Sequence, residues 1–271
     1  MNPILPSGAF FPKDAAGFLI NPCAMELIDQ RYAPVLGQIV DNYIQNEGAN
    51  LHSVYLRGSV PRGMNVGDCD LDTFALVFSE SDRWKRPDWA DEQEQQLQGK
   101  YPFLTAVEFY LAGYAPVLRA VPGHTDSENL ATNHGLAMVL KTQSLCLHGN
   151  DISSRIPAYK PDVSVLLNNP WLASDIADYE SNSKDRAQRQ QVLKTILRSG
   201  FELVLPRIQQ YTPDLYLCYR SFSDFYPKKE KWMRRALLAY LNSEETSSKE
   251  AYRIVNKIGP WLVKQFKTQE D

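Results

Sequence analysis

Cysteine and histidine are scarce in this chain, and the scarcity excludes whole classes of site. Four of each occur in 271 residues. Cys23, Cys69, Cys146 and Cys218 form no Cys-x-x-Cys pair, which argues against a zinc site and against a disulfide framework. They read as reduced thiols of a cytosolic protein. No stretch approaches the ~18 uninterrupted apolar residues of a membrane span. Met1 to Ile20 lacks both a basic segment and a continuous apolar one, so neither a span nor a secretion signal is predicted. A positive excess is missing as well: 29 Lys and Arg against 32 Asp and Glu leave a net charge of −3. Nothing in that balance draws nucleic acid to the whole molecule, so any anion site has to be local. Internal repeats and low-complexity tracts are also lacking.

What remains is the composition of an ordinary globular protein, 44% apolar, 23% charged and 11% aromatic, at a length where chains begin to divide into two cores. The informative stretch runs from Leu56 to Phe78. An apolar run, Val54 to Leu56, leads into Arg57, Gly58 and Ser59. A loop holding Arg62, Gly63 and Gly67 follows, and a second apolar run opens with Asp70-Leu71-Asp72. Alternate side chains of a strand share a face, so Asp70 and Asp72 point the same way, about 7 Å apart. Carboxylate oxygens suit Mg²⁺, which usually completes its shell with water and substrate phosphates. A glycine at position 58 lets backbone approach a ligand, and N–H groups there can hold phosphate oxygens, with the Ser59 hydroxyl beside them. Turn residues beside a buried strand would be the bland alternative.

This stretch resembles the signature of the polymerase-β-like nucleotidyltransferase superfamily: a strand, Gly-Ser, a loop of about ten residues, then acid-apolar-acid opening the next strand. Gly58 and Ser59 match the Gly-Ser, and Asp70-Leu71-Asp72 the acid pair; Asp68 lies one step outside the pattern. Cys69 replaces the usual small residue, and Pro61 departs from it within the loop. In layout the chain is similar to aminoglycoside adenylyltransferases. The resemblance implies a third carboxylate on the strand adjacent to the pair. Glu108, inside the apolar and aromatic run Thr105 to Leu111, falls where that strand is expected; a lone acid there needs a partner or a wet face. The resemblance leaves it either a metal ligand or the base for the acceptor hydroxyl. The His148-Gly149-Asn150-Asp151-Ile152 segment is similar to the one that closes the catalytic domain in antibiotic nucleotidyltransferases, with His148 structural.

Along the rest of the chain, residues 1–22 read as an irregular arm. An amphipathic helix follows over Ala24 to Glu47, kinked or restarted by Pro34 and stopped by Gly48. A polar helix is expected over Asp88 to Gln98. Gly113 to Asn133 reads as a long loop with His124 and His134 at its ends in surface roles. Three prolines, Pro157, Pro161 and Pro170, make Pro157 to Pro170 a linker, and everything beyond it reads as helical: Trp171 to Tyr179, Arg186 to Gln210, Leu215 to Tyr226, Lys228 to Leu241, and a last helix from Ser248 bent at Gly259-Pro260.

The expected fold is therefore α/β: a small mixed sheet with flanking helices in a catalytic domain over 1–156, a linker over 157–170 and an all-helical domain over 171–271. A triphosphate brings more negative charge than one Mg²⁺ cancels, so cations have to approach it. Lys228 or Lys229, at a helix start, are the first candidates, with Arg62 and Arg220 behind them; the alternative makes them the solvated face of an amphipathic helix. The resemblance to aminoglycoside adenylyltransferases in the Cys218 to Met233 segment is loose, with Arg220 displaced by one position. The expected activity moves AMP or another nucleoside monophosphate from ATP or another nucleoside triphosphate to an acceptor hydroxyl, with one or two Mg²⁺ held by Asp70, Asp72 and Glu108. An aminoglycoside-like acceptor comes first, protein or tRNA second, and a catalytically silent nucleotide-binding or antitoxin-like module third. Neither a membrane nor, by preference, a nucleic acid is an expected partner.

Overall fold

The computed structural model describes residues 4–65, 69–79, 84–119, 128–181 and 185–270. The chain divides into two compact units, Pro12–Tyr159 and Met1–Phe11 with Lys160–Asp271. Asp68 and His124 lie outside the described residues.

The first unit is built on a mixed sheet. Helix α1 (Ala33–Glu47) carries Pro34 in its first turn, where a missing N–H costs nothing, and buries Val35, Leu36, Ile39 and Tyr43, a stripe of helical period. Gly48 closes it at φ 53°. Strand β1 (Leu51–Arg57) pairs antiparallel with β2 (Cys69–Val77). The crossover from β2 through α2 (Ala90–Lys100) delivers β3 (Leu104–Gly113) parallel to β2, the connection that a parallel pair requires. Next come α3 (Tyr114–Arg119), α4 (Glu128–Gln143) and β4 (Ser144–Gly149), which pairs antiparallel with β1. The order is β3-β2-β1-β4.

Alternation then sorts the side chains. Val54 and Leu56 of β1, Leu71 and Ala75 of β2, and Val107 and Phe109 of β3 share one core with the buried stripe of α1 and with Ala90 and Leu97 of α2. Arg57, Asp70, Asp72 and Glu108 fall on the opposite face by the same period of two. Tyr43 crosses the core: its hydroxyl meets Thr73 Oγ1 at 3.2 Å, donates to the Tyr110 carbonyl at 3.3 Å and accepts from the Tyr110 N–H at 3.1 Å.

Two expectations fail between residues 113 and 134. The expected long loop holds α3 and the first turns of α4. His134, expected at the surface, is buried on α4, its ring 5.7 Å from that of Tyr159.

The second unit is helical: α5 (Asn169–Ser181), α6 (Arg186–Glu202), α7 (Leu205–Ile208), α8 (Leu215–Phe225), α9 (Glu230–Leu241) and α10 (Ser248–Glu270), the last running through Pro260. Gly200 lets α6 approach its neighbours, since a Cβ there would lie 2.4 Å from Met233 and 3.2 Å from Phe222. Residues 9–11 add to this unit: Ala9 N–H donates to Asp214 at 3.0 Å, Phe11 N–H to the Tyr211 carbonyl at 2.8 Å, and Thr212 Oγ1 to the Ala9 carbonyl at 2.9 Å. No helix among the described residues is long and apolar enough to cross a membrane.

Candidate active site

Three strands bring one charged residue each to the same level. Arg57 of β1 is the register partner of Asp72 of β2, and Asp72 that of Glu108 of β3. Arg57 Nη2 lies 3.6 Å from Asp72 Oδ1 and 3.4 Å from Glu108 Oε2. The two carboxylates thus present oxygens to one shared cation. Asp70 stands two residues earlier on β2, exposed and level with Ala106. Its face is that of Asp72. Among the described residues, no group of three or more His, Cys, Asp and Glu side chains is gathered tightly enough to hold a metal ion. The donor set nevertheless fits a hard divalent cation, being all carboxylate oxygen, and Asp72 with Glu108 already converge on a positive group.

The Gly-Ser bend meets the acids directly. Gly58 ends β1 at φ +94°, and a Cβ built on it would lie 2.6 Å from Asp72 Oδ2. Only glycine satisfies both the backbone angle and the contact. Ser59 then opens a tight turn over Val60–Arg62, its carbonyl accepting from Arg62 N–H at 3.2 Å and Met64 N–H at 3.0 Å. Arg62 folds back so that Nε donates to the Gly58 carbonyl at 3.0 Å. Its charge therefore stays beside the bend. The Cys23 thiol lies within the field of Arg62, but burial dominates and pushes it up to about 12.

The backbone of β3 is pinned at the level of the acids. Thr73 Oγ1, 3.2 Å from the Tyr43 hydroxyl, donates to the Glu108 carbonyl at 2.6 Å. Beyond the acids, aromatic rings cover the same face: Tyr55 stacks on Phe74 at 5.2 Å, Phe74 meets Trp84 at 5.5 Å and Trp84 meets Tyr110 at 4.8 Å. Burial raises the Tyr110 phenol, and the negative charge of Glu108 raises it further.

No family model matches the sequence, and no curated protein matches it. A solved structure does: spectinomycin adenyltransferase AAD(9) from Enterococcus faecialis, with ATP and spectinomycin, is similar at a TM-score of 0.51 and 13% identity, over 84% of this chain and 98% of that one. The chain shares the fold of that structure.

The remaining candidates belong to the second unit. Lys228 is exposed on a short turn, Pro227–Lys229, that precedes α9. Lys229 Nζ lies over the Trp261 ring, 5.1 Å from its centroid. Arg220 pairs along α8 with Asp224 at 3.4 Å. The sequence pattern did not single out Arg57. Its signal was a charged residue closing an apolar strand immediately before Gly-Ser, which demands a partner.

Proposed function

We propose that this protein is a nucleotidyltransferase that moves a nucleoside monophosphate, AMP from ATP in the first instance, to an acceptor hydroxyl and releases pyrophosphate. The observation that carries the reading is the packing of Asp72 Oδ2 against the bare Cα of Gly58, with Glu108 as the register neighbour of Asp72. The motif and the adenyltransferase fold agree with it.

In this reading Asp70 and Asp72 would hold Mg²⁺, with Glu108 either completing a second site or taking the acceptor proton. Bound there, Mg²⁺ would offset phosphate charge and stabilise the charge that develops in the transition state. The Gly58–Ser59 bend and Arg62 would orient the triphosphate; Lys228 or Lys229, with Arg220 behind them, are the candidates that the sequence offers for a further phosphate contact. The acceptor oxygen attacks the α-phosphorus in line, its proton passes to Glu108 or to water, and the bond to the β-phosphate oxygen breaks as pyrophosphate leaves.

The acceptor we favour is a small hydroxyl-bearing molecule of the aminoglycoside or aminocyclitol kind, as in the structural neighbour with spectinomycin. The test is pyrophosphate release from ATP in the presence of Mg²⁺, with such antibiotics, protein and tRNA as separate acceptors. Product with an antibiotic supports the full reading, and product with protein or tRNA alone replaces the acceptor. ATP binding without any product would leave a silent nucleotide-binding module and end the enzymatic claim.

A further inference from the structure

We infer that Arg57 is a positioning residue that acts as a built-in competitor for the divalent cation: its guanidinium neutralises Asp72 and Glu108 in the nucleotide-free protein and has to leave Asp72 when a metal ion enters. This rests on the nucleotidyltransferase reading for the metal and extends it to a residue that the motif does not contain.

The geometry distinguishes a displaceable counter-ion from a structural ion pair. A structural Arg-carboxylate pair is usually bidentate, with two parallel N–H donors in a fixed fork. Here a single nitrogen, Nη2, serves both carboxylates, at 3.6 Å and 3.4 Å. Arg57 Nε is buried and has no hydrogen-bond partner among the described residues. The guanidinium is thus incompletely satisfied where it sits, and moving it sacrifices no well-made bond. All three side chains are partly open to solvent, at 31% for Arg57, 21% for Asp72 and 37% for Glu108, so the pair energies are screened and modest.

A second contact gives the displaced group somewhere to stay. Arg57 Cζ lies over the Trp84 ring, 5.7 Å from its centroid, within the range where a cation is attracted by an aromatic face. The guanidinium can remain over Trp84 while its Nη2 gives up Asp72. The charge also stays adjacent in sequence to Gly58, where a triphosphate would bring compensating negative charge. The arrangement keeps neighbouring carboxylates neutralised without metal and makes nucleotide and metal arrival mutually favourable.

The test uses Mn²⁺ as the probe, a cation suited to the same carboxylate ligands. It is titrated into nucleotide-free wild type, Arg57→Met, Arg57→Gln, Arg57→Lys and Asp72→Asn, and the free ion is read by electron paramagnetic resonance. The two neutral variants are expected to bind Mn²⁺ about tenfold more tightly than wild type, because an opposing charge has gone, and Arg57→Lys to stay near wild type. Equal or weaker binding in the neutral variants, with binding still lost in Asp72→Asn, overturns the role of Arg57 alone. Binding that Asp72→Asn leaves untouched overturns this role and the metal reading together. Tryptophan emission supplies a readout that does not depend on the Arg57 variants folding. Mn²⁺ should change the Trp84 contribution, measured as the difference from Trp84→Phe, and Mn²⁺ that binds through Asp72 with no such change also overturns the proposal.

Discussion

The Asp72 carboxylate leans on Gly58 where any other residue would carry a Cβ, with 2.6 Å between Oδ2 and that missing atom. A Gly58→Ala substitution would impose two costs at once. The φ of +94° strains an L-residue, by about 1–3 kcal/mol, and the methyl group pushes the carboxylate out of its place. We expect a folded protein with a lowered Tm and a loss of turnover on the order of 10²-fold, since displacements near 1 Å carry that cost. Thermal unfolding and steady-state kinetics on the same preparation check both. Full activity in the alanine variant would show that the Asp72 position is unimportant.

Removing the charges themselves should separate catalysis from stability. Asp72→Asn keeps the shape and deletes one of the two charges facing Arg57; because the pair is partly exposed, the stability change should stay within about 1 kcal/mol. Turnover should fall to background. Glu108→Gln should cost roughly 10² to 10⁴ in kcat if Glu108 accepts the proton, with little change in Mn²⁺ binding. If it is a ligand instead, the metal affinity should fall with the rate. The pair of measurements assigns the role.

How far the sequence revealed this site depends on the kind of information each residue needed. Asp70 and Asp72 were legible because a period of two places them on one face without reference to any other strand. Glu108 was legible as an acid in an apolar run, and the parallel register of β3 with β2 sets it beside Asp72. Arg57 was not, because its role depends on two registers at once, β1 on β2 and β2 on β3, and neither is local. In the stretch read as a long loop, α4 was hidden by a polar opening and by Gly135 in its middle, which weaken the apolar periodicity that identifies a helix. His134 followed that error to the surface. The helices of the second unit were easier, since Tyr219, Phe222, Met233, Ala236 and Leu237 repeat at helical spacing and are buried.

Tyr43 links the core to the site through Thr73. Its hydroxyl touches Thr73 Oγ1 and both the N–H and the carbonyl of Tyr110, and Thr73 in turn holds the Glu108 carbonyl. Tyr43→Phe keeps the ring contacts with Trp89 and Phe109 but leaves buried polar atoms unmatched, a loss of about 1–3 kcal/mol. Denaturant unfolding should show that loss. Because the Tyr110 N–H and carbonyl then lose their hydroxyl partner, hydrogen exchange at Glu108 and its neighbours on β3 should speed up locally as well. A stability loss with unchanged exchange in β3 would separate Tyr43 from the site.

In the second unit, Glu202 closes the start of α5 from a distance. Its carboxylate accepts from the backbone N–H groups of Leu167, Asn168 and Asn169, each at 2.8 Å, and from Asn168 Nδ2 at 2.7 Å. A fully buried acid in this position serves as the anion that a helix start attracts. Glu202→Ala would strand those donors, and a loss of at least about 3 kcal/mol is expected. Chemical denaturation measures it, and a loss under 1 kcal/mol, the size of an ordinary surface change, would mean that water replaces the carboxylate.

Lys228 and Lys229 differ in what already occupies them, which gives the phosphate assignment a direction. Lys229 carries its charge over Trp261, whereas Lys228 is exposed on the turn before α9. An ammonium resting on an aromatic face gives up that contact before it can meet a phosphate, and an exposed one gives up only water. Lys228→Ala should therefore weaken ATP binding about tenfold, the value of one charge-assisted contact, and Lys229→Ala less. Isothermal titration with ATP and Mg²⁺ ranks the two. The reverse order would make Lys229 the phosphate ligand and Trp261 its support, and equal affinity to wild type in both would return the turn to the solvated face of α9.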